Sequence, residues 1–312
     1  MNKTTLKTVC VTVPATTANI GPGFDCLGLA LKLYNRVSVT LTNNHASPVV
    51  IQVQGLGADQ IDTTATNLAY QSFSRLYAHL NQTPPPIQMS IEVNVPLARG
   101  LGSSATAIVG GLLAANALAG SPLAEMEVMN LAIAIEGHPD NVVPALLGGC
   151  CLTTTTPEQQ WLTCDVPWNS NIVPVVAIPN FKLSTATARK VLPDHYSRID
   201  AIFNTAHLGL LIRALETGRA DWLKAALQDR IHQPYRQSLI HHYDAVKQRA
   251  IAAGAYGLVI SGAGPTVLAL TSTDSVETVQ QTLGSVWQTQ GIEAQSMALE
   301  VDHQGATIQV IR

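Results

Sequence analysis

Charge is what this sequence has least of. Aspartate, glutamate, lysine and arginine make up 12 % of its 312 residues, and aromatic residues 5 %. The charged share is about half the usual ~25 %, while apolar residues reach 46 %. A chain with so much apolar surface and so little self-repulsion folds, so disorder is excluded. There is no basic run and the net charge is −3, so the electrostatic footprint of a nucleic-acid binder is missing and no nucleic-acid partner is expected. No apolar run is long enough to cross a bilayer: the longest, Ala107 to Ala119, is short and interrupted by glycine, so no membrane partner is expected either. The segment Met1 to Thr8 leads into a strand-like alternation without a long apolar stretch, which predicts no signal peptide.

Cysteine spacing excludes more. Cys10, Cys26, Cys150, Cys151 and Cys164 are odd in number, include an adjacent pair and form no Cys-x-x-Cys. That argues against a zinc site or a disulfide frame and predicts reduced thiols in a cytoplasmic protein. Cys26 reads as a small buried apolar side chain. The chain also lacks any Gly-Lys pair, which excludes a Walker-type P-loop.

What is present centres on Pro96-Leu97-Ala98-Arg99-Gly100-Leu101-Gly102-Ser103-Ser104-Ala105-Thr106. Before it, residues 91–95 alternate apolar and polar, as a half-buried strand does. After it, Ala107 to Ala119 is rich in alanine and leucine, as a buried helix is. The loop therefore sits at a helix N-terminus, where free N–H groups and the helix dipole favour an anion. Gly100 and Gly102 let a ligand approach the main chain, three hydroxyls line it, and Arg99 adds fixed positive charge. The loop reads as a phosphate cradle; the bland alternative is a serine N-cap with glycines that only turn the chain. Gly100-x-Gly102-x-x-Ala105 also matches the loose dinucleotide fingerprint. However, Pro96 to Arg99 separate it from the strand, and Glu125, the acid about 20 residues on, falls within a helical stretch.

The length predicts two domains, placed at 1–168 and 169–312. Strands are predicted at Val9 to Val13, ending at Pro14, and as an antiparallel pair at Val37 to Leu41 and Val49 to Val53, with a turn at Asn43 to Pro48. Helices are predicted at Asn67 to Leu80 and Leu123 to Ile135. A crossing between domains is expected at Trp161 to Asn171, a helix stop or kink at Pro234, and a closing hairpin of Ala298 to Val301 with Thr307 to Ile311. In the turn Asn19-Ile20-Gly21-Pro22-Gly23-Phe24-Asp25, the polar ends are either an Asx-type cap or two groups held at a substrate; the residues support both. Glu136 closes a helix at the end the dipole makes unfavourable for an acid, which points to a cation beside Glu136-Gly137-His138-Pro139-Asp140-Asn141.

Taken together, Pro14 to Asp25, the loop Pro96 to Thr106 and Ser261-Gly262-Ala263-Gly264-Pro265-Thr266 resemble the GHMP small-molecule kinase family. Residues 19–25, 136–141, Leu183 to Arg189 and Gln233-Pro234-Tyr235-Arg236 resemble the members that act on L-homoserine, except that Gln233 stands where an acid is common. The resemblance implies an α+β fold of two domains, the first like domain 2 of ribosomal protein S5 and the second ferredoxin-like. It implies ATP-dependent phosphorylation of the L-homoserine side-chain hydroxyl, with the 96–106 loop around the ATP phosphates and Ser104 and Glu136 on Mg²⁺. It places Asn19, Asp25, His138, Asn141, Thr185, Arg189 and Arg236, with Gly262 and Gly264 closing over them, around the amino acid. Asp25 suits an ammonium, and Arg189 and Arg236 suit a carboxylate as two-point forks. Of the residues placed at the catalytic centre, Asn141 would aim the hydroxyl, Arg99 would neutralise charge, and Asp140 matches the aspartate some relatives use as a base but is read as not clearly the base; the alternative is a structural Asp140 with the proton passing to the phosphate. The alternatives are a mevalonate or sugar kinase of the same family, or a catalytically silent binding module. A homodimer is left open.

Overall fold

The computed structural model describes residues 7–43 and 47–311. The segment 1–6 of the predicted leaderless N-terminus and positions 44–46 of the predicted turn lie outside the described residues. Apolar alternation builds the first sheet. β1 (Thr8–Ala18) and β2 (Leu27–Leu41) pair antiparallel. Pro14 does not end β1: the register shifts between Pro14 and Ala15, and this irregularity absorbs the missing N–H so the strand runs on. β3 (Val49–Gly55) runs through α1 (Leu68–His79) into β4 (Ile87–Val93), and β3 and β4 pair in parallel. β4 thus lies between β2 and β3, and the predicted β2–β3 pair is not formed. The crossover buries the Phe73 and Leu76 face of α1, which a hairpin would leave uncovered.

α2 (Ser103–Leu118), α3 (Glu125–Glu136) and α4 (Pro139–Leu147) join α1 over that sheet. α2 is apolar on nearly every side because it is the inner helix of this layer. β5 (Cys150–Thr155) pairs with the start of β2 and with β6 (Trp161–Asp165). The first part of the predicted domain crossing is therefore a strand of the first sheet, and only 166–171 cross.

The second sheet holds β7 (Ile172–Pro179), β8 (Gly257–Ile260), β9 (Val267–Ser272) and β10 (Ala294–Ala298). Its order β10-β7-β9-β8, antiparallel throughout, is the ferredoxin-like arrangement. Between β7 and β8 run α5 (Thr185–Lys190), α6 (Arg198–Thr217), α7 (Ala220–Ala226), α8 (Gln233–Arg236) and α9 (Tyr243–Ala252); α10 (Val276–Gln288) follows β9. Pro234 lies in the first turn of α8, where its missing N–H costs nothing, so it starts a helix instead of stopping one.

The predicted C-terminal hairpin does not form. β10 belongs to the second sheet, while β11 (Thr307–Ile311) pairs with β1 in the first. Between them the chain recrosses: Lys32 N donates to Glu300 O, and the buried Asp302 turns the chain by accepting from Gln304 N and Gly305 N at 2.9 and 2.6 Å. A shared core, in which Ile20, Leu29 and Leu101 of the first lobe pack with Leu211, Leu223 and Val259 of the second, joins the lobes. No described helix is long and apolar enough to cross a membrane.

Candidate active site

A cleft of about 490 Å³ opens between the lobes, and most of the sequence-predicted site residues line it. At one end lies the N-terminus of α2. Gly102 precedes it with φ +67°, and a Cβ there would lie 2.0 Å from Thr16 Oγ1. The glycine is thus required by β1 and the left-handed backbone, and not only by an approaching ligand. No side chain caps α2, so its first N–H groups stay available to an anion. Ser104 Oγ donates to Glu136 Oε1 at 2.6 Å, which brings together the two residues predicted to hold a metal.

The loop is fastened from both lobes. Ser261 Oγ donates to Gly100 O at 2.6 Å, and Thr266 N donates to Arg99 O at 3.1 Å. From the first lobe, Asn35 Oδ1 accepts from Val95 N at 2.9 Å while Asn35 Nδ2 donates to Thr106 Oγ1 at 2.8 Å. Pro96 lines a second cleft, which Leu97 and Arg99 also border, and the Leu101 and Ala105 side chains are buried in the cores, so Pro96, Leu101 and Ala105 contribute only backbone to the loop. Arg99 Nη1 is buried and has no hydrogen-bond partner among the described residues; burial also lowers the pKa of its guanidinium. An unpaired buried donor on a residue that lines the same cleft as an uncapped helix start and a serine–carboxylate pair is what a magnesium-bound polyphosphate would satisfy, so these residues fit that group.

The other end is made of side chains that already hold one another. Arg189 Nη1 and Nη2 donate to Asp25 Oδ2 and Oδ1 at 3.0 and 2.8 Å, so the predicted carboxylate fork is engaged on Asp25. That hydrogen bond raises the Arg189 pKa despite partial burial. Arg236, 2 % exposed, donates Nε to Ala188 O at 3.1 Å and Nη1 to Gly262 O at 3.1 Å. It lines the cleft with Nε and Nη1 already engaged. Asn19 Nδ2 also donates to Gly262 O, at 2.9 Å, and Asn19 Oδ1 accepts from Asp25 N at 3.0 Å. The bond spans six residues, so it closes the whole loop and is not an Asx turn, and the Asp25 carboxylate caps no backbone N–H among the described residues but turns to Arg189 in the cleft. Thr185 and Gly264 complete this wall.

Between the two ends sits the start of α4. Asp140, 3 % exposed, accepts from His138 Nδ1 at 2.5 Å and lies 3.4 Å from Asn141 Nδ2. Burial lowers the His138 pKa, but the Asp140 hydrogen bond with the Asp140, Glu136 and Asp25 charges carries it above its ordinary value. Asn141 Oδ1 accepts from Thr16 Oγ1 at 2.8 Å. β2 makes room for this corner at Gly28, where a Cβ would lie 1.7 Å from Asp140 O. Cys26 is half-buried; burial, then Asp140 and Asp25, push its thiol up to about 11, so it stays protonated and is no nucleophile.

Sequence reasoning missed the apolar end of the cleft. Ile61, Leu68, Ile91 and Val93 line it beside Leu97 of the predicted loop, and Asp62, Thr66 and Asn67 line the same cleft. The available signal was the hydroxyl-rich run 62–67 before α1, where Asp62 Oδ1 accepts from Thr64 N at 2.7 Å.

Residues 67–149 match the family model described as GHMP kinases N terminal domain, and residues 211–289 match GHMP kinases C terminal. A homoserine kinase of Microchaete diplosiphon is 60 % identical over 302 residues, covering 97 % of each chain. The chain belongs to the homoserine kinases of the GHMP family. A second homoserine kinase, from Trichodesmium erythraeum, is 59 % identical over 97 % of this chain and 99 % of its own. The crystal structure of homoserine kinase from Cytophaga hutchinsonii superposes with a TM-score of 0.87 at 29 % identity, covering 97 % of both chains. By contrast, L. major mevalonate kinase in complex with R-mevalonate reaches a TM-score of 0.67 at 16 % identity, over 93 % of this chain and 95 % of its own, which is likeness of fold alone. The two-domain α+β architecture of this homoserine kinase family member is the one the motifs implied, and as a kinase it uses ATP.

Proposed function

We propose that the chain transfers the γ-phosphoryl group of ATP to the side-chain hydroxyl of L-homoserine, a step in threonine biosynthesis. The observation that carries this reading is one cleft with the Ser104–Glu136 pair at a helix N-terminus and the Asp25–Arg189 pair beside Arg236 at the other end. Residues 98–106 would hold the phosphates, Ser104 and Glu136 would hold Mg²⁺, and the apolar walls Leu68, Ile91 and Val93 suit a planar base. When bound, ATP supplies the phosphoryl group and Mg²⁺ neutralises its charge.

The residues of this chain position and screen. Asp25 and Arg189 exchange partners: Asp25 takes the substrate ammonium and Arg189 its carboxylate. Their pair is about a third exposed on each side, and such pairs are worth about 0–1 kcal/mol. Two new charge-assisted hydrogen bonds, at about 1.5–3 kcal/mol each, outweigh that loss. Asn141, fixed by Thr16, orients the hydroxyl, while Arg99 faces the phosphate side. Asp140 is engaged by His138 and Asn141 and holds both; it is not the base, and the hydroxyl proton passes to the transferred phosphoryl group as the O–P bond to ADP breaks. We assign residues 1–168 to an ATP-binding N-terminal domain and 169–312 to a C-terminal domain, with the amino-acid wall drawn from both, Asn19 and Asp25 from the first and Thr185, Arg189 and Arg236 from the second, and with β11 returning to the first sheet. Five free cysteines support a cytoplasmic setting.

The test is ADP release with ATP and Mg²⁺ on L-homoserine, R-mevalonate and galactose. Turnover on L-homoserine alone is expected. Turnover on either other compound instead would replace this reading, and binding without turnover would make the chain a silent module. Light scattering of the same sample reads whether it is a homodimer.

A further inference from the structure

His232 is fully buried and belongs to no predicted set of site residues. It lies immediately before α8, with Asp229 below it: the Asp229 Oδ2 atom accepts from His232 N at 2.9 Å and Gln233 N at 2.7 Å. Its ring reaches both halves of the amino-acid pocket. Nε2 lies 2.9 Å from Gly21 O, within the turn that ends at Asp25. A carbonyl only accepts, so Nε2 carries the proton. Nδ1 lies 3.4 Å from Arg236 Nη1, which only donates, so Nδ1 is the acceptor. Burial holds the imidazole in this neutral form, and Arg236 opposes protonation while Asp229 and Asp25 favour it. One face of the ring stacks on Phe24, centroids 5.1 Å apart, and the Arg236 guanidinium lies 5.0 Å from the centre of the same Phe24 ring.

We propose that His232 is a positioning residue for the amino-acid end of the cleft, setting Arg236 against the turn that presents Asp25. It touches neither reactant. With Nε and Nη1 of Arg236 held by Ala188 O, Gly262 O and His232, the remaining Nη2 edge is the one left for the substrate carboxylate. This rests on the proposed function, because Arg236 matters here only as a carboxylate partner.

Three variants of the full chain separate positioning from bulk. His232→Phe keeps an aromatic ring beside Phe24 and removes both hydrogen bonds. His232→Asn keeps an acceptor near Nδ1, and His232→Gln keeps a donor near Nε2 without that acceptor. For His232→Phe and His232→Gln, KM for L-homoserine should rise about ten-fold, while KM for ATP stays within about two-fold. His232→Asn should stay within about three-fold of the parent for both. If His232→Phe does not fold, the Gln and Asn pair decides. Equal KM values for L-homoserine in Asn and Gln variants, or a parallel rise in KM for ATP, would overturn the proposal. Failure of the underlying function shows differently: the unmodified chain itself would not turn over L-homoserine.

Discussion

The two ends of the cleft are built on opposite plans. The nucleotide end is main chain: uncapped amides of α2, a left-handed glycine against β1, and a loop tied to both lobes by backbone carbonyls. The amino-acid end is side chains satisfied by one another, above all Arg189 on Asp25. The first is preorganised and awaits charge. The second must trade existing partners for the substrate. The phosphate end thus combines backbone amides with three fixed side chains, Arg99, Ser104 and Glu136, while substrate choice rests on side chains that must change partners.

The contrast breaks most sharply at Ser104. Ser104→Ala should lower kcat by on the order of 10²-fold or more, with weakened Mg²⁺ dependence read from a metal titration. Unchanged Mg²⁺ dependence would remove Ser104 from the site. Arg189→Met acts at the other end: KM for L-homoserine should rise roughly 10–100-fold with KM for ATP nearly constant, as expected for a lost charge-assisted contact. A rise confined to ATP would reverse the assignment of the two ends. Asp140→Asn should keep kcat within about ten-fold, because Asn retains an oxygen for His138. Near-total loss of turnover with both substrates still bound would make Asp140 the base.

The smallest effect concerns pH. The folded pKa of His138 lies above its ordinary 6.5, so its pairing contributes stability fully below that value and loses it as pH rises through the folded pKa. The stability gap between the parent chain and His138→Gln, read by urea denaturation, should therefore be wider at about pH 5.5 than at about pH 9. A gap that widens with rising pH would contradict it.

The phosphate loop was legible because its chemistry is local: glycines, hydroxyls and a helix start lie within eleven consecutive residues. Asp25, Arg189 and Arg236 were legible only through motif resemblance, since no spacing rule brings together positions so far apart in the chain. That Arg189 is already forked onto Asp25 was not legible at all, because it depends on side-chain geometry across the lobes. Gly28 gave no signal of its partner either. A glycine in a strand marks a bulge, a bend or a close backbone approach without saying which, and here the partner is Asp140 O, 112 positions on by residue number. The placements of β3 and β11 failed for one reason: alternation reports that a strand exists, not which neighbour it pairs with. β6 failed for another: its five residues were read as part of the crossing between domains and not as a strand.

The return of the chain to β1 has a mechanical consequence. The lobes are connected twice, once through 166–171 and again through 299–306, and Asp302 pins the second connection. Opening the lobes like a clamshell would pull apart the apolar seam they share, which costs more than bending the two straps that connect them. Substrate entry should therefore involve rearrangement of surface loops and the Asp25–Arg189 latch, leaving the radius of gyration in X-ray scattering unchanged when both reactants bind.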